Sequence, residues 1–239
     1  MCSSDLDTAA PAGFEALRKL GHQTLLVPLY LPMTLDEPDQ SRGTPVFFSG
    51  INVYLEQQSA LFRRAPRWVH RLLASGPLLK LAARRAARTR AGEVGALTLS
   101  MLRGEEGNQA RELETLIAWL ETQARPDVLN LSNALLIGLA RQLKRRLGMP
   151  VVCSLQGEDA FLDGLPGEFR SAAWDLLAER AREVDCFIAP SQYFAELMTR
   201  RLKLFPERVK VIPNGISLAG YAPRETPPEP PVLGFFARM

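Results

Sequence analysis

The sequence predicts an α/β fold: a Rossmann-like parallel sheet flanked by helices. Three observations predict it. From residue 108 onward, short apolar runs alternate with amphipathic stretches of helical period. Most of the joints between them carry a turn or capping residue: proline, glycine, serine or asparagine. The same helix-then-strand unit is also visible near the start, over residues 11–27. Strands that alternate with helices of about 10–15 residues imply parallel pairing through right-handed crossovers.

The elements follow in order. Residues 11–20 read as a helix that Gly21 stops, and 24–27 as a strand. Asn108 is placed to cap a helix whose Leu113, Leu116, Ile117 and Leu120 fall at i, i+3, i+4 and i+7. Pro126 lies beyond it, and 128–131 form a short strand. A second helix turns Leu135, Leu136, Leu139, Leu143 and Leu147 inward. Lys144, Arg145 and Arg146 suit its last turn, where the dipole is negative, and Gly148 is placed to end it. Pro150 introduces the strand 151–155. Residues 171–183 form a helix with Trp174, Leu177 and Ala181 on one side, and 186–189 a strand. Ser191 caps a helix bearing Phe194, Leu197, Met198 and Leu202, and 209–212 is a strand closed by Pro213, Asn214 and Gly215.

Residues 1–220 are therefore read as one Rossmann-like domain. Five prolines (Pro223, Pro227, Pro228, Pro230 and Pro231) mark 221–231 as a linker. Residues 232–239 read as the first strand of a further domain.

Composition narrows the class. Hydrophobic content of 46% with 23% charged residues supports a packed core. A net charge of +3 implies no nucleic-acid partner. The three cysteines, Cys2, Cys153 and Cys186, form no CxxC pair and read as reduced thiols of a cytoplasmic protein. No apolar run of about 18 residues predicts a membrane span, and residues 1–7 lack the basic and apolar regions of a signal peptide. His22 and His70 have no nucleophile nearby in the sequence pattern, and there is no GxxxxGK[ST] or GxGxxG run. Hydrolase, NTPase and dehydrogenase chemistry are unsupported, and without a His or Cys cluster no metal site is expected.

Ligands of open parallel sheets bind beyond the C-terminal ends of the strands. Here those ends carry Ser132 and Asn133, then Gln156, Gly157, Glu158 and Asp159, then Ser191, then Asn214 and Gly215. Each alone is explained by capping and turn chemistry. Four polar ends on one edge point to a ligand site. The acids and amide of 156–159 suit sugar hydroxyls or a proton transfer, and a pair of solvated loop carboxylates is the competing reading.

Residues 57–90 hold nine Lys and Arg and no acid. Arg63, Arg64, Arg67 and Arg71 lie opposite an apolar stripe of Leu61, Phe62, Trp68 and Leu72. That pattern fits a helix on an anionic membrane surface, or a helix packed on its own domain with a solvated basic face.

The stretch 125–221 resembles the N-terminal domain of family 4 glycosyltransferases, which have the GT-B fold. The residues that carry the resemblance are Arg125-Pro126-Asp127-Val128, the run from Pro150 to Asp159, Asp185 to Ser191, and Val209 to Ile216, in that order. Residues 50–55 and 99–105 are similar to a bacterial subgroup of that family. The resemblance implies transfer of a sugar from a nucleotide-sugar, with retained anomeric configuration, no metal and no cofactor beyond the nucleotide-sugar co-substrate. It implies an acceptor side at Ser132, Asn133, 156–159 and Ser191. It implies donor contacts at Asn214, Gly215 and Arg238, the last at a position that meets the donor diphosphate. The family's following Lys and acidic motif have no counterpart in the 239 residues, and the glycine-rich loop that opens the family is not found in residues 1–12; Gly13 is the nearest glycine. Family members commonly carry His where Ser132 and Gln156 stand. This resemblance therefore implies a chain inactive by itself, with no catalytic residue assigned. Its acceptor is a glycan, lipid-linked or small molecule, and its expected location is cytoplasmic or peripheral at the inner membrane face. The competing reading is a non-catalytic module that keeps only an acceptor- or membrane-binding surface.

Overall fold

The computed structural model describes residues 13, 16–29, 47, 48, 91–123, 125–215 and 230. Among the described residues, four strands form one sheet: β1 (Leu129–Leu131), β2 (Val151–Ser154), β3 (Cys186–Ala189) and β4 (Val209–Val211). Their spatial order is their chain order, and every pair is parallel. The α/β, Rossmann-like architecture expected from the alternation is thus present. Leu131 pairs with Cys153, Cys153 with Phe187, and Phe187 with Val209.

Among the described residues from 91 onward, the α-helices are α1 (Ala91–Arg103), α2 (Ala110–Leu120), α3 (Ala140–Leu147), α4 (Glu158–Asp163), α5 (Gly167–Arg180) and α6 (Gln192–Leu202). Right-handed crossovers in sequential order put the connecting helices on one face of the sheet. Burial agrees. Leu131, Val151, Cys153, Phe187 and Ala189, on alternating strand positions, are buried against Leu143, Leu177, Met198 and Leu202. Alternating positions on the other face, such as Val152 and Ile188, are only half-buried. The apolar stripe of α2 is buried as its spacing demands: Leu113, Leu116, Ile117 and Leu120. A fully buried Leu, Ile or Phe stabilises the fold by about 1.5–3 kcal/mol relative to exposure.

Local chemistry sets the boundaries. Gly148 ends α3, returning its N–H to the Lys144 carbonyl at 2.9 Å. Ser191 caps α6, its Oγ accepting the Phe194 N–H at 3.2 Å. Four expectations shift. The helix that follows β1 opens as a 3-10 turn over Ala134–Leu139, not as regular α-helix. The cap of α2 is Gln109; the Asn108 N–H instead donates to Ser100 Oγ at 2.8 Å. α5 starts at Gly167 rather than 171, because the Pro166 carbonyl receives the N–H groups of Phe169 and Arg170. Residues 24–27 form no strand. A single parallel bridge joins Leu29 to Phe47, and Pro28, which has no N–H, contributes only its carbonyl to Phe47. Near the start, Gly13 and 16–19 are helical, and Gly21 at φ 90° stops the turn.

The layer of α1 against the 3-10 turn is backbone-close. A Cβ built on Gly104 would strike the Gly138 carbonyl, and one on Gly138 would strike the Met101 and Leu102 carbonyls. Beside this contact Arg180 is 1% exposed. It donates to the Arg103 carbonyl at 2.9 Å and to Glu106 Oε2 at 3.1 Å, tying the end of α5 to the end of α1. Arg141 of α3 joins the cluster through Glu183 (3.0 Å) and Glu105 (3.3 Å). Among the described residues no helix is long and apolar enough to cross a membrane. The linker 221–231 (apart from exposed Pro230), the 232–239 segment and the basic segment 57–90 lie outside the described residues.

Candidate functional site

Parallel, sequential strands bring all four C-terminal ends to one edge of the sheet. Registry then fixes which loops are neighbours. Ser132 and Asn133 follow β1 and lie beside Gln156 to Asp159, which follow β2; Ser191 follows β3, and Asn214 and Gly215 follow β4. The structure therefore collects on one edge the residues that the sequence nominated from four separate turns. Arg238, Arg63, Arg64, Arg67 and Arg71 lie outside the described residues.

The nominated residues are not alike. Ser132 is exposed. Asn133 is half-buried and accepts the Leu135 N–H on Oδ1 at 3.0 Å, so its side-chain oxygen caps the 3-10 turn. Gln156 and Asp159 are half-buried. Gly157 sits at φ 84° with nothing within 4 Å of a hypothetical Cβ, so it is the backbone conformation and not crowding that calls for glycine. Ser191, Asn214 and Gly215 are exposed. Between the first two strands, Ser154 Oγ donates to Asn130 Oδ1 at 3.2 Å, adding a polar cross-link at the same edge.

Glu158 departs from its expected setting. The sequence suggests a group for sugar hydroxyls or proton transfer, or else a solvated loop carboxylate. It is 4% exposed. Its Oε1 accepts the Ala134 N–H at 2.7 Å and its Oε2 accepts the Gln156 N–H at 2.8 Å. Burial pushes its pKa above the usual glutamate range; hydrogen bonds from the N–H groups of Ala134, Gln156 and Glu158 itself oppose the rise, and the Asp159 charge adds to it. Beneath it, burial pushes the Cys153 thiol far up, with the Glu158 charge contributing in the same direction. Cys153 is therefore an inert thiol in the core, and Cys186 is half-buried and unpaired.

One feature of this edge was missed from the sequence. Tyr193, in the first turn of α6 and two residues after Ser191, is 72% exposed. Its signal was an aromatic residue off the Phe194, Leu197 and Met198 stripe at the mouth of a strand. An exposed ring on an edge that also carries polar turns suits a sugar, which offers both hydroxyls and an apolar ring face. A groove of about 280 Å³ lined by Asp175, Glu179, Arg182 and Lys203 lies by the C-terminal end of α6, away from this edge. Among the described residues no group of three His, Cys, Asp or Glu side chains converges as a metal site would.

No curated protein matches the chain. The family model described as Glycosyltransferase Family 4 matches residues 83–219, more than half of the chain and all of the sheet with its polar edge. The chain belongs to glycosyltransferase family 4.

Proposed function

We propose that this chain is the acceptor side of a nucleotide-sugar-dependent glycosyltransferase that retains anomeric configuration and needs no metal. The observation that carries the reading is the convergence of Ser132, Asn133, Gln156, Asp159 and Ser191 on one sheet edge, next to Asn214 and Gly215. Hydroxyl, amide and carboxylate groups there match the donors and acceptors of a saccharide. Gln156 stands where a base is common in the family, and an amide takes no proton near neutral pH. The edge therefore binds and orients the acceptor. The donor diphosphate is met from the side of Asn214, Gly215 and Arg238. Holding the two substrates together supplies most of such a rate enhancement, along with stabilising the leaving diphosphate.

As part of this proposal, the 239 residues by themselves are expected to turn over no sugar donor. The test is release of nucleoside diphosphate from a panel of nucleotide-sugars by the purified chain, with glycosides as acceptors. Release above background by the chain alone contradicts its inactivity. When the chain is paired with a donor-binding domain, the product keeps the donor's anomeric configuration and EDTA leaves the rate unchanged; an inverted product or a lost rate contradicts the mechanism.

The basic segment supports a second feature, peripheral attachment at the inner membrane face. Nine cations without an acid over residues 57–90 attract an anionic bilayer by about 1 kcal/mol for each engaged Lys or Arg. Co-sedimentation with anionic vesicles should fade in high salt. It should also fade when Arg63, Arg64, Arg67 and Arg71 become Gln. Equal binding to neutral and anionic vesicles, or undiminished binding by the variant, removes the membrane role.

A further inference from the structure

A side chain at the acceptor-side edge does more than fill it. Glu158 opens α4, yet its carboxylate turns inward and joins two loops. Oε1 takes the N–H of Ala134, the first residue after Ser132 and Asn133, at 2.7 Å. Oε2 takes the N–H of Gln156, the residue before Gly157, at 2.8 Å. The two bonds span the mouths of β1 and β2. Both partners are main-chain groups, so the bonds fix the path of the loops and not merely the pose of a side chain. Asn133 holds the same turn from its other side by accepting the Leu135 N–H.

This geometry does not suit a proton-transfer group. A general base presents its oxygen to the substrate proton at about 2.6–3.2 Å. Each oxygen of Glu158 already meets a backbone donor at that range, beneath the surface.

We infer that Glu158 is a positioning residue for acceptor binding: it sets the separation of the Ser132–Asn133 loop from the Gln156–Gly157 loop. The inference rests on the acceptor-side reading of this edge. Two near-isosteres isolate the role. Glu158→Gln offers one acceptor oxygen, and its NH2 end faces an N–H donor. Glu158→Asp is one methylene short and cannot reach both N–H groups. Neither change adds volume to the core.

The experiment uses the isotope-labelled chain and both variants. Amide hydrogen exchange is measured first, then amide shifts on titration with methyl glycosides of common hexoses. In both variants, exchange at Ala134 or Gln156 should quicken by roughly tenfold as a buried hydrogen bond is lost. Exchange at Val152 and Phe187 in the sheet should not change. Wild-type shifts at Ser132, Asn133, Gln156 and Gly157 on glycoside addition should be lost or weakened about as much in the variants. Unchanged exchange at both Ala134 and Gln156 overturns the proposal. Faster exchange throughout the sheet overturns it too, leaving Glu158 a stabilising residue only. Faster loop exchange with undiminished glycoside shifts shows loops that need no such spacing, and also overturns it. A wild-type chain whose edge is silent to every glycoside defeats the acceptor-side reading itself. It takes the positioning role with it, while the exchange data still report the link between the loops.

Discussion

At the scale of single residues, ionisable groups beside the edge and at the base of the sheet pull stability in opposite directions with pH. Burial raises the pKa of Glu158. A carboxyl whose folded pKa is raised contributes stability that is complete below its unfolded value, about 4.3 for Glu, and is lost as pH rises through the folded value. Glu158→Gln should therefore flatten the stability curve just above about pH 4.3, while lowering it overall through the mismatched N–H. Asp163 is the reverse case. Its pKa is lowered, first by the Trp174 indole N–H at 2.9 Å, against some desolvation, and then by Arg201 at 2.8 Å. Asp185 is also lowered: desolvation opposes the shift, and Lys144 at 2.7 Å and the Val151 N–H at 2.8 Å overcome it. Their stabilisation is present above about pH 3.9 and disappears as pH falls through their folded values. Both are about two-fifths exposed, so solvent screens the effect. Urea titrations from acid to neutral pH check this: Asp163→Asn and Asp185→Asn should weaken the acid-side fall and leave the Glu158 window intact. An unchanged curve in Glu158→Gln contradicts the first expectation.

At the scale of elements, close backbone packing and capping give sharper predictions than hydrophobic content does. Gly138→Ala drives a methyl into two carbonyls of α1, and α1 and the 3-10 turn must separate. Overpacking of this kind costs about 1–3 kcal/mol, and the denaturation midpoint should fall accordingly. Ser191→Ala removes the cap of α6 and should cost about 1 kcal/mol, with a circular-dichroism loss confined to one helix turn. Phe187→Ala, in the centre of β3 and fully buried, should cost about 3–5 kcal/mol. Much of this level was legible in the sequence. The strand at 186–189 lies on its apolar run, α2 buries the residues its spacing selects, and α6 buries Phe194, Met198 and Leu202 while leaving Leu197 half-buried. What was not legible depended on long-range contacts. Arg180 is buried only because the Arg103 carbonyl at the end of α1 and Glu106 just beyond it receive its guanidinium. The 24–27 run has strand composition, but pairing requires a partner, and Pro28 removes a donor where the ladder would extend.

At the scale of the molecule, sequence order and strand direction together create the site. Parallel strands taken in chain order put every strand exit on the same side, so four short polar turns become one edge. The turns were legible, since each follows an apolar run with Ser, Asn, Gln or Gly. Their inequality was not. Glu158 and Asp159 are adjacent and chemically similar, yet one is 4% exposed and bound to two loops while the other is half-buried. The N–H groups of Ala134 and Gln156, both received by Glu158, distinguish them. On the proposed function, a saccharide acceptor binds at this edge. Amide chemical-shift mapping of the wild-type chain with a panel of glycosides and nucleotide-sugars tests it most directly. Glycoside shifts should cluster at Ser132, Asn133, Gln156, Gly157, Asp159, Ser191 and Tyr193. Shifts that cluster instead at the opposite end of the sheet, around Lys144, Asp185 and Lys203, would contradict it.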